Sequence, residues 1–327
     1  MMRLCTAVSR MLTVGVLTMA VAGSAAAQPA YPSKPIRFIV PYPPGGGSDT
    51  LARFVGQKLS QSWSQPVIVD NRGGGNTVIG TEALAKSAPD GYTIFLGANA
   101  LTVVPHLYRT LPYDTLKDFA PVGTVARSEF VLVLHPSVAA NNLQEFIALA
   151  KSRPEQLNYA SSGAAGSDRL AAALFEILTK VKMQHVPYKG TAPGLTDLLA
   201  GQVQLWFIGP QNALPHIKTG RLKPIAITGE RRLPTLPQVP TFIEAGLQGF
   251  DVKTWYGVVA PAGTPKSIID KLSVELGTIL AMPDVREKLE NQGMQPFIST
   301  SEQFTALVKS DFARFGNVIK AANIKIE

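Results

Sequence analysis

Residues 36–51 read IRFIVPYPPGGGSDTL, and their order decides the fold class. Ile36 to Val40 is a short apolar run of strand type. Pro41, Pro43 and Pro44 stiffen the turn that follows, then come Gly45, Gly46 and Gly47, and Ser48 and Asp49 open a helix. A helix start leaves backbone N–H groups without intrahelical acceptors and carries the positive end of the helix dipole. Glycines let a ligand approach that backbone closely. Strand, glycine loop and helix start together outline an anion site.

Working outward, an apolar-faced helix is predicted over 49–60, with Leu51, Phe54, Val55 and Leu59 on one side. PVIVD (66–70) reads as a second strand and ends in NRGGGN (71–76), another glycine turn. A helix over 77–86, a turn at Asp90-Gly91 and the strand YTIFLG (92–97) complete a β-α-β-α-β run. That order predicts parallel strands joined by crossovers, with ligands beyond their carboxyl ends.

Strands at 119–125 and 130–134, separated by Ala126-Arg127-Ser128-Glu129, mark the passage into a second lobe. There a helix capped by Asn142, the strand LNYA (157–160), SSGAAGSDRLAAALFEIL (161–178), a strand near His185, PYKGTAPG (187–194), a helix over 195–200 and strands at 203–208 and 222–228 follow. The proline-rich 231–240, a strand at 255–260 and helices over 265–280, 284–289 and 302–321 return to the first lobe. The predicted organisation is an α/β chain with lobe 1 from 28–126 plus 229–327 and lobe 2 from 127–228. Each lobe is expected to be a mainly parallel sheet flanked by helices, with a ligand cleft between them.

The first 27 residues read as a cleavable export signal. Arg3 and Arg10 precede the apolar run 11–22, and Ala25-Ala26-Ala27 fits the cleavage pattern. Cleavage after Ala27 would remove Cys5, the single cysteine, so the mature chain would have neither disulfide nor thiol chemistry. The 327-residue chain is 46% apolar, 17% charged and formally +8. Removing the signal takes two arginines from that total. A modest positive balance without a basic helix suits an envelope protein that collects anions and argues against nucleic acid.

The second lobe echoes the first: Gly47-Ser48-Asp49-Thr50-Leu51-Ala52 against Gly166-Ser167-Asp168-Arg169-Leu170-Ala171. The echo is either a shared motif or the common preference for Ser and Asp at helix starts. In both cases two helix starts face the expected cleft, one for each end of a diacid. No lysine follows Gly45–Gly47 as a nucleotide loop needs, and G-x-G-x-x-G spacing is not met there. No G-x-S-x-G elbow occurs. His106, His135, His185 and His216 are scattered and no metal-ligand cluster is evident. The expectation is binding without turnover and without a cofactor or metal. Tyr42, Tyr188, Trp206 and Phe207 lie near the loops and serve either the ligand or the core. Trp206 and Phe207, as strand neighbours, point to opposite faces.

The segments YPSKPIRFIVPYPPGGGSDTLAR, PVIVDNRGGGN, APDGYTIFLG, LPYDTLKDFAPV, LNYASSG, HVPYKGTAPGLTDLLAGQV, ALPHIKTGRLK, LPQVPTFIEAGL and WYGVVAPAGTPKSIIDKL, in that order, resemble the Bug (TctC-type) family. These are periplasmic solute-binding proteins of tripartite tricarboxylate transport systems. The resemblance implies a two-lobed, type II-like periplasmic-binding-protein fold that closes on a small organic carboxylate. It implies a monomer that hands its ligand to a membrane permease of one large and one small subunit. A sensing role towards a receptor is the alternative.

Carried onto this chain, the family's ligand loops are Tyr42, Pro43, Pro44, Gly45, Gly46 and Gly47, and Ser161, Ser162, Gly163, Gly166 and Ser167. Asn71, Asn99 beside Ala98, and Tyr188-Lys189-Gly190 are secondary candidates. Asp49 and Asp168 are read as helix caps. Two positions depart from the family pattern: Arg169 replaces a histidine, and Phe207-Ile208-Gly209 replaces Phe-Asp-Asn. If Arg169 and Ile208 face the cleft, the ligand is a dicarboxylate without an amino group and with an apolar or aromatic body, such as terephthalate. Otherwise Arg169 points to solvent and Ile208 into the core.

Overall fold

A computed structural model describes residues 31–250, 252–321 and 324. The export signal and its cleavage point lie outside the described residues. The backbone divides into a short unit, Met1–Ser33, and the unit Lys34–Glu327 that carries every element below.

β1 (Ile36–Val40), α1 (Gly47–Trp63), β2 (Val67–Asn71), α2 (Val78–Ala85), β3 (Thr93–Ala98) and α3 (Ala100–Val103) alternate as the opening stretch predicts. β1 pairs in parallel with β2 and β3. Its near-continuous apolar sequence follows from burial on both faces. α1 lies against it, burying Leu51, Val55 and Leu59.

β4 (Phe119–Glu129) leads to β5 (Val131–Leu134), α4 (Leu143–Ser152), β6 (Asn158–Ser161), α5 (Ser167–Thr179), β7 (Gln184–Pro187), α6 (Thr191–Leu199), β8 (Leu205–Ile208), α7 (Pro210–Lys218) and β9 (Lys223–Ile227). The chain then returns through β10 (Lys253–Pro261), α8 (Lys266–Ala281), α9 (Pro283–Asn291), β11 (Gln295–Pro296) and α10 (Ser301–Ala321). The strands form a six-stranded sheet, β11-β4-β10-β3-β1-β2, and a five-stranded sheet, β7-β6-β8-β5-β9. This is the expected two-lobed α/β architecture. None of the helices among the described residues is long and apolar enough to cross a membrane.

Four details differ from the sequence reading. The sheets are mixed, not mainly parallel: β10 is antiparallel to β3 and β4, and β5 is antiparallel to β8 and β9. The strands nearest the passage between lobes have no helical crossover and so can reverse. Ala126 to Glu129 do not interrupt β4, because β10 pairs with them from Lys253 to Tyr256. α6 begins at Thr191 and α7 was not foreseen. Pro193 and Pro210 lie in their first turns, where a missing N–H is tolerated. Finally, packing does not change lobes at 228/229. Leu233, Leu236 and Val239 join one core of the second lobe, and Phe242, Phe250 and Val252 join the other.

The second lobe shows why β8 borders the cleft. Its alternation sends Leu205 and Phe207 into the cluster around Phe146 and Phe175. Trp206 and Ile208 go to the opposite face with Val131 and Val133.

Candidate ligand-binding site

Between the sheets lies a cavity of about 70 Å3. Four helices of eight or more residues begin on it. α1 presents Gly46, Gly47 and Ser48, and α5 presents Gly166, Ser167 and Asp168. α6 presents Thr191 and Ala192, and α7 presents Gly209, Gln211 and Asn212. Tyr42, Pro43, Phe130, Trp206, Ile208, Thr254 and Tyr256 complete most of the wall. No lysine, arginine or histidine is among its described lining residues, and Asp168 is the one acid. A second cavity of about 60 Å3 adjoins it, sharing Tyr42, Pro43, Ala100, Ser162 and Gly166, and extends to Gly163 and to Tyr188-Lys189-Gly190.

The two sequence echoes are built differently. In the first lobe Gly46 is the N-cap of α1 and makes no side-chain cap bond. Asp49 is therefore not the cap that the sequence suggested. It sits inside the first turn and accepts the Gly45 N–H at 3.0 Å, drawing the glycine loop back onto the helix. Asn71 Nδ2 donates to Asp49 and to the Tyr42 carbonyl, and Arg53 pairs with the same carboxylate at 3.0 Å. Burial opposes ionisation here, but the Gly45 N–H, Arg53 and Asn71 hold the carboxyl below its usual range.

In the second lobe Gly166 is the N-cap, and Asp168 again is not. Its carboxylate accepts the Ser162 N–H at 2.6 Å, the Ser162 hydroxyl at 3.1 Å, the Trp206 indole N–H at 2.9 Å and the Arg169 N–H at 3.0 Å. Burial pushes this carboxyl up, offset in part by the bonds from Ser162 and Trp206. Its bonds aim it at the loop and the core, so it fixes the wall while the first N–H groups of α5 face the cavity.

Of the predicted residues, Tyr42, Pro43, Gly46, Gly47, Ser162, Gly166, Ser167, Phe207 and Ile208 border the main cavity, while Gly163 and Tyr188 border the second. Phe207 does so with its ring stacked on Phe242 at 6.0 Å, as part of the core. The Tyr188 hydroxyl is turned to Asp197 at 2.7 Å. Pro44 and Gly45 are exposed and border neither cavity.

Three more residues leave the candidate set. Asn99 is fully buried, donating to the Lys253 carbonyl and accepting the Trp255 N–H, so it ties α3 to β10. Ser161 is fully buried, with its hydroxyl 2.6 Å from His185 Nε2. That pair has the atoms of a nucleophile and a base, yet Ser161 borders neither cavity and the His185 ring stacks on Tyr159. Burial, then Arg169, pushes His185 down to about 4. Arg169 donates to the Ala164 carbonyl at 2.9 Å and lies by Tyr159 and Glu176, outside both cavities. Its role as a forked carboxylate partner falls, because the Ala164 turn takes its guanidinium.

The sequence reading missed Gln211, Asn212, Thr254 and Tyr256. The signal for the first two was Gly209-Pro210 directly after a strand, an N-cap glycine with proline at the first helical position. Gln211 crosses from the second lobe to the first, its Nε2 donating to the Tyr256 hydroxyl at 3.3 Å. A Cβ at Gly47 would lie 2.5 Å from that Nε2. Asn76 Oδ1 accepts the Ala164 N–H at 2.9 Å, a second bond between lobes. Burial raises the phenols of Tyr42 and Tyr256, the latter to about 12, so both stay protonated.

Comparison with known proteins gives a consistent match. Residues 51–324 match the model of a family described as tripartite tricarboxylate transporter family receptor. BugT of Bordetella pertussis is 36% identical over 323 residues, covering 98% of this chain and 99% of that protein. A solved structure of R. palustris Rpa4515 with adipate superposes with a TM-score of 0.88 at 33% identity, over 90% of this chain and 99% of that one. MatC from Rhodopseudomonas palustris with bound malate gives 0.83 at 30% identity, over 88% and 100%.

Proposed function

The chain belongs to the tripartite tricarboxylate transporter receptor family, and from that premise we propose that it is a periplasmic receptor for a small carboxylate. The observation that carries this reading is the convergence of four helix starts on a cavity whose described lining residues include no cationic side chain. Backbone N–H groups and neutral hydroxyls would hold the anion, with the helix dipoles supplying the positive field. The Tyr42 and Tyr256 phenols would donate, as their raised pKa values keep them neutral. The protein binds and releases without turnover. It acts as a monomer that passes the acid to a permease of one large and one small membrane subunit.

The ligand is a dicarboxylate without an amino group. Ile208 borders the cavity with an apolar side chain, and Asp168 already accepts bonds from Ser162, Trp206 and Arg169. An ammonium would find there only the Asp168 carboxylate, whose oxygens Ser162, Trp206 and Arg169 already engage. The test is thermal shift and titration calorimetry with malate, adipate, terephthalate and glutamate. Stabilisation by one or more of the three diacids that lack an amino group, with no response to glutamate, is the expected outcome. Response to glutamate alone would overturn it.

A further inference from the structure

Gln211 lines the main cavity; its Oε1 is buried and has no hydrogen-bond partner among the described residues, while Nε2 of the same amide donates to the Tyr256 hydroxyl. A buried acceptor left unpaired is costly, so the site is complete only when something donates to it. Tyr256 accepts from Nε2 and keeps its own O–H to give. The two side chains thus present one acceptor and one donor next to each other. Turning the amide over preserves this: Tyr256 would then donate to Oε1, leaving an amide N–H and a phenol lone pair.

From this we infer that Gln211 and Tyr256 together read a hydroxyl group on the ligand, so that the preferred acid is a hydroxydicarboxylate. The inference rests on the carboxylate reading above and narrows it. A hydroxyl both donates and accepts, and it satisfies the pair in either amide orientation. A methylene leaves both groups unpaired. A carboxylate cannot donate, and an ammonium cannot accept. The pair also spans the cleft, since Gln211 belongs to α7 of the second lobe and Tyr256 to β10 of the first. A hydroxyl seated on it would join the lobes.

The experiment measures Kd for two matched pairs, malate against succinate and 2-hydroxyadipate against adipate. Wild type, Gln211→Leu and Tyr256→Phe are compared, with the unliganded Tm of each variant recorded. A site that hydrogen-bonds a hydroxyl rejects the analogue lacking it strongly. Wild type should favour at least one hydroxylated acid by tenfold or more. Both variants should bring that ratio to near one at a Tm close to wild type. Equal wild-type affinity within both pairs would overturn the inference while leaving the carboxylate reading intact. So would a wild-type preference that survives in both variants. If none of the four binds wild type, the inference fails, and the terephthalate arm of the thermal-shift screen decides whether the carboxylate reading stands without it.

Discussion

The two strand–loop–helix units share Gly-Ser-Asp-x-Leu-Ala, yet they use it one residue out of step. Gly47 is the first residue of α1, whereas Gly166 is the cap before α5. Asp49 therefore falls one position deeper in its helix than Asp168. Asp49 reaches back to Gly45 and has a cation, Arg53, on its outer side. Asp168 reaches back to Ser162 and has the Trp206 indole instead of a cation, although both carboxylates are buried. Burial dominates the second carboxyl and raises it, while its partners win at the first and lower it. The same motif thus yields a cation-paired loop clasp in the first lobe and a keystone held by neutral donors in the second.

The sharpest way to break this comparison is at the glycines. A methyl group on Gly166 would overlap the Asp168 carboxylate and the Ser162 hydroxyl, which are held by several bonds. Gly166→Ala should destabilise the fold by about 2–3 kcal/mol, as overpacked sites do. Asp168→Asn should cost about the same, since an amide N–H would face the Ser162 and Trp206 donors. Asp49→Asn should cost only about 1 kcal/mol, because much of what it loses is a pair with the half-exposed Arg53. Denaturant titration of the three variants checks the order. An Asp49 variant as unstable as the Asp168 variant would mean the two units are equivalent after all.

How much of this was legible follows from the same residues. β1 and its glycine loop were readable because an apolar run, prolines and three glycines each restrict the backbone locally. The family pattern named Tyr42, Gly46, Ser162 and Ser167, and all four border the main cavity. Arg169 misled because a cation beside a helix start suggests an anion partner, whereas the nearby Ala164 carbonyl takes it. Gln211 and Tyr256 were invisible for a different reason. They are 45 positions apart, on opposite lobes, and neither has a local signature. Contacts across a cleft are a property of closure, which no window of sequence contains. Asp168 shows the intermediate case: its helix start was evident, but its tie to Trp206, 38 residues on, was not.

Gly47 sharpens the comparison through affinity instead of stability. A methyl group there meets the flexible tip of Gln211, which moves easily when the lobes are apart. Gly47→Ala should therefore leave the unliganded Tm near wild type and weaken ligand binding by about tenfold, equivalent to about 1.4 kcal/mol. In a Gln211→Ala background the obstacle is gone, so the same change should weaken binding further by much less. Residues in contact show such coupling in double-mutant cycles, and distant ones do not. Additive losses would place the effect of Gly47 on the loop itself and not on closure.

A pH dependence also separates the two units. His185 is held neutral beside Ser161 by burial, with a pKa pushed down to about 4 from its ordinary 6.5. Between those values the unfolded chain binds a proton that the folded one refuses, so stability is present above 6.5 and is lost as pH falls towards 4. The Asp49 unit behaves differently: its lowered carboxyl loses stability only as pH drops below the ordinary 3.8. His185→Gln keeps a hydrogen-bonding side chain next to Ser161 but does not titrate. Its Tm should change less than that of wild type from pH 6.5 to 4, and both proteins should fall together below that. If the two Tm curves run parallel across the upper window, the second lobe's loop is not anchored by a neutral histidine, and the contrast with the first lobe rests on Asp168 alone.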